Sequence, residues 1–198
     1  CCTGYNFDGG TGNVIIGHSS GAAFTNGNDP IGAVVIGVSN LNEATSTGCM
    51  VAIGRAAASK GTDHRYSIIM GFCAGYSKTG CTGGQSNIFM GTCAGYCNQT
   101  ACNNVFLGTN AGKCITEGHN NFVVGNTAGM KLTSGDYNVM FGRSAGCEIT
   151  SGNNNIVMGN VAYSCATTSS GTVALGYYAG QKACGSSSVF MGYNAAKN

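Results

Sequence analysis

The sequence predicts an all-β fold, a parallel β-solenoid or β-roll with one rung for about every 17 residues. Three observations lead there. An apolar triplet closed by glycine recurs eleven times, at Gly17, Gly37, Gly54, Gly71, Gly91, Gly108, Gly125, Gly142, Gly159, Gly176 and Gly192, and seven of the ten intervals are 17 residues. The triplets are β-branched or aromatic in most copies, as strands are. The period is also too short for a helix pair, which needs about 34 residues, or for a leucine-rich repeat, which needs about 20 to 29. Rungs stacked at roughly 4.8 Å give a rod about 50 Å long over ten steps.

Each element of the rung follows in order. Asparagine opens the strand at Asn13, Asn87, Asn104, Asn121, Asn138 and Asn155. The first strand position reads Val14, Val34, Val51, Ile68, Ile88, Val105, Phe122, Val139, Ile156, Val173 and Val189, and the last reads Ile16, Ile36, Ile53, Met70, Met90, Leu107, Val124, Phe141, Met158, Leu175 and Met191. Neither column has a polar exception. Alternation puts both on one strand face, read as the core. Three residues after the glycine, nine copies carry alanine (Ala57, Ala74, Ala94, Ala111, Ala128, Ala145, Ala162, Ala179 and Ala195), a place too tight for more. The next position is glycine in seven copies, which suits a sharp corner at positive φ. Eight residues after the glycine stands Thr25, Thr45, Thr62, Thr79, Thr116, Thr133, Thr150 or Thr167, where a second short strand is expected. Stacked Asn and Thr can share hydrogen bonds between rungs. The two 20-residue intervals read as turn insertions around Asn28-Asp29-Pro30 and Thr82-Gly83-Gly84. Ser39-Asn40-Leu41 and Ala162-Tyr163 lack the Ala-Gly pair and predict altered corners.

Composition excludes several classes. Of 198 residues, 34 are glycine, one is proline and only 8% are charged, while 43% are hydrophobic. Enough apolar area exists to offset chain entropy, so the chain folds. A formal charge of +2 with scattered cations predicts neither a nucleic-acid partner nor an anionic membrane surface. No apolar run approaches the roughly 20 residues of a membrane span, so membrane insertion is not expected. Residues 1–198 read as a single repeat domain, and a start at Cys1 with an end inside a motif at Lys197-Asn198 suggests a segment of a longer chain.

The middle strand position decides the expected assembly. Ile15, Val35, Ala52, Ile69, Phe89, Phe106, Val123, Met140, Val157, Ala174 and Phe190 point away from the assigned core yet are apolar. Exposed, such a stripe exceeds what monomers tolerate. A homotrimer is therefore expected, with Ile15, Val35, Ile69, Phe89, Phe106, Val123, Met140, Val157 and Phe190 at the interface and the alanine column marking close approach of subunits. The alternative is a wide single-chain solenoid with both strand faces under loops, for which 17 residues leave little chain.

Units such as Asn104-Val-Phe-Leu-Gly-Thr-Asn-Ala-Gly112, followed by Thr116-Glu-Gly118 and Asn121-Phe-Val-Val-Gly125, resemble the repeats of phage tail-fibre proteins, cysteine-rich ones from marine cyanophages in particular. They are also similar to the shorter repeats of trimeric autotransporter adhesin heads, which are left-handed parallel β-rolls assembled as homotrimers. The resemblance covers nearly the whole chain. It implies a structural component of a virion fibre or spike, located on the virion surface, partnered by other fibre proteins and by a glycan or protein host receptor. The alternative within the same physics is a bacterial cell-surface adhesin; from another class comes an ice-binding solenoid, although threonine occurs once per rung with no Thr-x-Thr pair.

Residues with chemistry are few. The twelve cysteines include Cys93, Cys97 and Cys102, which lack the paired spacing of a zinc site and have no accompanying histidine. Residues one rung apart fall inside the Cα window of a disulfide, so Cys97 with Cys114, Cys73 with Cys93, and Cys147 with Cys165 are candidate bridges, against the alternative of small buried thiols. Asp8, Asp29, Asp63, Asp136, Glu43, Glu117 and Glu148 fall at different phases of the repeat, which predicts no catalytic pair. Asp63-His64-Arg65 is the one local polar cluster and reads as a turn. No enzymatic activity and no cofactor are expected. Tyr76, Tyr96, Tyr177, Tyr178 and Tyr193 are the candidate receptor contacts, as stacked rings that suit sugar or protein, against corner-capping as the alternative.

Overall fold

A computed structural model of the chain describes residues 10–21, 31–41, 48–60, 63–77 and 84–197. Thr25, Thr45, Thr62, Thr79 and the insertion residues Asn28, Asp29, Pro30, Thr82 and Gly83 lie outside them. Among the described residues there is no helix, and the fold is a parallel β-solenoid. Its strands are β1 (Val14–Ile16), β2 (Val34–Val38), β3 (Val51–Arg55), β4 (Ile68–Met70), β5 (Ile88–Met90), β6 (Val105–Leu107), β7 (Phe122–Val124), β8 (Val139–Phe141), β9 (Ile156–Met158), β10 (Val173–Leu175) and β11 (Val189–Met191). They form one 11-stranded sheet in chain order. Register is strict: Phe106 pairs with Val123, which pairs with Met140, which pairs with Val157. The longer intervals do not disturb it, since Val14 still pairs with Val34 and Ile68 with Ile88.

The strand faces are the reverse of the sequence expectation. Val35, Ile69, Phe89, Phe106, Val123, Met140 and Val157, assigned above to a trimer interface, are fully buried inside the single chain, and Ile15 and Phe190 pack partly buried against the same core. The columns assigned to the core face outward instead: Ile16, Met90 and Met158 are 56%, 40% and 43% exposed. The physical reason lies in what shares the inward parity. The strand-opening asparagines Asn87, Asn104, Asn121, Asn138 and Asn155 are buried, and alternation puts them on the same side as the middle residue. The alanine column is inward too; Ala57, Ala74, Ala94, Ala111, Ala128, Ala145, Ala162 and Ala179 are buried in the chain's own interior, so they do not mark an approach of subunits. Ile115, Leu132 and Ile149 complete a core only a few side chains thick.

Two ladders fix the stack. Asn104 donates its backbone N–H to Asn87 Oδ1 at 2.9 Å, while its Nδ2 donates to that oxygen and to the Gly118 carbonyl. Asn121, Asn138 and Asn155 repeat this, and Thr172 N–H closes the run on Asn155 Oδ1. Nearer the start the column reads Ala33, Met50 and Ser67, and the polar link moves to the alanine position: Ser20 Oγ donates to the Gly37 carbonyl, and Asn40 Oδ1 accepts from Ala57 N–H. The second ladder is the glycine column itself. Gly108 has φ +130, and a Cβ there would stand 2.7 Å from the Gly125 carbonyl oxygen. Both the conformation and the stacking exclude a side chain.

Among the described residues the expected second strand does not form. The threonine segment consists of bends tied to the next rung, with Thr116, Thr133 and Thr150 each donating Oγ1 to the carbonyl of Thr133, Thr150 and Thr167. Nor are the irregular corners altered. Leu41 at φ 51 and Tyr163 at φ 46 hold the left-handed corner that glycine holds elsewhere. Their buried side chains fill space where the strand residue is small. Tyr163 reaches the Phe190 ring at 6.0 Å, across the rung of Ala174. Where the strand residue is Phe106, a Cβ at the Gly112 corner would collide with its ring at 2.5 Å.

Gly108→Ala should destabilise the rod by more than about 2 kcal/mol, combining backbone strain with displacement of the next rung. Gly192→Ala, at φ +116 with nothing within 4 Å of the added Cβ, should cost roughly 1 kcal/mol. Denaturant unfolding of the two variants checks this; equal losses would disprove the stacking role.

Candidate functional site

The described residues offer surfaces rather than a pocket of convergent groups. One is the outward face of the sheet. Its two columns, from Val14 and Ile16 to Val189 and Met191, are apolar on all eleven strands and partly or largely exposed on each. The positions flanking it share the outward parity. On one side stand Tyr66, Asn103, Asn120, Tyr137 and Asn154, exposed and at positive φ; on the other stand Phe72, Thr109, Asn126, Arg143 and Tyr177.

The candidate receptor tyrosines gather in two places. Tyr76 and Tyr96 stack with centroids 5.1 Å apart and planes at 10°, and the Lys113 ammonium lies 6.0 Å from the Tyr96 ring. Tyr177 stacks on Tyr193 at 5.4 Å and meets Tyr178 edge-on at 4.2 Å, while Lys197 sits 4.5 Å from the Tyr178 ring. Stacking follows from rung spacing, because like side chains in one column stand roughly 4.8 Å apart. The two clusters are five rungs apart, about 24 Å along the axis, so they are separate surfaces. Burial, then the neighbouring Tyr76, pushes the Tyr96 phenol up. A hydrogen bond with Tyr178 does the same for Tyr177. Sequence reasoning missed Tyr66, Tyr137 and Phe72, all exposed. Their outward parity with the strand's first and last positions was the available signal, hidden by the reversed face assignment.

None of the candidate cysteine pairs is bridged. Cys73, Cys93, Cys97, Cys114, Cys147 and Cys165 are all thiols. Parallel side chains in one column keep their Cβ atoms near the rung spacing of roughly 4.8 Å, wider than the 3.5 to 4.5 Å or so that a disulfide takes. Cys147 and Cys165 are also offset by one position in the repeat. Burial, then Cys93, pushes the Cys73 thiol up; burial, then Glu148, does so for Cys147. Both are poor nucleophiles at neutral pH. Among the described residues, no three His, Cys, Asp or Glu side chains stand together as a metal site.

The Asp63-His64-Arg65 segment is a polar turn with one surprise. Asp63 takes a bidentate ion pair from Arg65 and a hydrogen bond from Gln85 Nε2 at 2.8 Å. Burial pushes its carboxyl up, but those hydrogen bonds outweigh it and hold the group below its usual value. His64 is fully buried, at the column position that reads Gly118, Gly135 and Gly152 further along, and neither ring nitrogen has a partner. Burial pushes its pKa down to about 4, against a smaller opposing pull from Asp63.

Comparison with known proteins returns no match to any family model, curated protein or solved structure.

Because the folded pKa of His64 lies below the unfolded value of 6.5, its contribution is complete above pH 6.5 and is lost as pH falls towards 4. The loss amounts to about 3 kcal/mol. Denaturation across that range should show the decline in the wild type and a flatter profile in His64→Leu; parallel profiles would refute it.

Proposed function

We propose that the chain is a structural component of a phage fibre or spike, an elongated segment on the virion surface that takes part in host attachment. The observation that carries this reading is the uniform stack: eleven strands in register in one parallel sheet, with the same apolar outward pair on every rung. A rod of this kind sets a distance and resists bending along its axis, because neighbouring rungs are bonded along the strands and, at Thr116, Thr133 and Thr150, along the threonine bends as well. Its buried strand-opening asparagines serve the stack, and its titratable groups are spread over many phases of the repeat.

The homotrimeric state is part of this proposal and rests on the resemblance to tail-fibre and adhesin-head repeats, together with the exposed apolar face. The tyrosine clusters around Tyr96, half-buried, and Tyr177, exposed, are the natural contacts for a host glycan or protein, since accessible stacked rings bind sugar faces and apolar protein surface alike. A virion fibre is favoured over an ice-binding solenoid because the threonine hydroxyls of Thr116, Thr133 and Thr150 are engaged with the next rung.

Antibodies raised against the chain should label fibres or spikes on purified virus particles, and the purified protein should compete with those particles for host cells. Label confined to a bacterial envelope would replace this reading with the cell-surface adhesin.

A further inference from the structure

The outward face of the sheet has no cover within the described residues, and its pattern specifies what fits it. Eleven rungs present two apolar side chains each, without one polar or charged interruption. Phe122, Phe141, Ile156 and Met158 are exposed in the middle of the chain, where terminal fraying has no part. The footprint is roughly 50 Å by 10 Å from the rung and residue spacings. In accessible area that corrugated strip approaches the roughly 800 Å² per partner of a stable specific interface, and it exceeds the patches that monomers ordinarily expose.

A globular partner would cover a few rungs and leave the others bare. A partner that matches every rung must be as long as the rod and repeat at the same axial spacing. The chain itself meets both conditions. The flanks suit such a contact, because Asn103, Asn120 and Asn154 on one side and Thr109 and Asn126 on the other give the polar rim expected around an apolar interface core.

We propose that copies of this chain associate side by side through this outward sheet face, with their rod axes aligned, and not through the middle strand column that the sequence pattern suggested. This rests on the reading of the chain as a fibre segment and names the surface that assembles it. The middle column is already spent inside each rod, so self-association uses the first and last strand positions.

Sedimentation and native mass measurement of the full chain at micromolar concentration test it. The wild type should be a stable multimer. Leu107→Glu with Phe141→Glu, both outward, should raise the dissociation constant by about two orders of magnitude or more while leaving the circular dichroism spectrum intact. Should that variant fail to fold, Phe141→p-benzoylphenylalanine should photo-cross-link copies to one another, while the same group at Glu117, on the far side, should not. A monomeric wild type, a multimer that survives the double substitution, or cross-links from position 117 in place of 141 would each overturn the proposal. A multimer absent from virus particles would leave this interface standing and remove the virion reading alone.

Discussion

Everything in this rod depends on one rung presenting to the next the partner that the next requires. A buried asparagine is costly unless its donors and acceptor are met. Here Asn104 is met by Asn87 below, by the following rung through Asn121, and by the Gly118 carbonyl. The glycine column imposes the same condition sterically, because each glycine from Gly17 to Gly176 lies against the carbonyl of the glycine one rung on. A rung out of register would strand a polar group and bury a carbonyl against carbon at once. Strictness of this kind explains how strands of three residues, too short to persist alone, hold a single sheet.

The interior is correspondingly thin, and its volume is balanced locally. Phe89 and Phe106 stack at 5.1 Å, with glycine at the corners facing them; Val35 and Val157 are accompanied by Leu41 and Tyr163 at corners that accept the left-handed backbone despite a side chain. Filling the interior outweighs the roughly 1 to 2 kcal/mol of strain at such a corner. The balance is weakest at the ends. Ile15 and Phe190 are only partly buried, and among the described residues each has a paired strand on one side alone, as nearest-neighbour packing in a one-dimensional stack predicts.

This architecture spreads its surface chemistry along a line. Column identity decides which side chains on adjacent rungs become neighbours, so tyrosines stack into ladders and thiols line up without bridging among the described residues. Asp63 and Arg65 meet because they are two residues apart within one turn, and Lys131 meets Glu148 because they occupy one column on adjacent rungs.

The sequence by itself determined the rung, the strand at each apolar triplet and the register, because a triplet recurring eleven times leaves no other alignment of Val105 with Phe122 or of Gly108 with Gly125, while the second strand it suggested around the threonines is a bend in the described rungs. It also pointed to the positive φ of corner glycines and to hydrogen bonding between stacked Asn and Thr. Which strand face is inside was not legible from hydropathy, since all three strand columns are apolar and alternation separates them without ranking them. The tertiary structure decided it through groups outside the triplet: the asparagine that shares the middle residue's parity, the small alanine two corners on, and the Ile115, Leu132 and Ile149 column that closes the core. The burial of His64 was likewise invisible in a turn that reads as polar. Both misreadings have one physical cause. Periodicity records which residues are equivalent, and only closure of the chain into a loop decides which side of the strand that loop encloses.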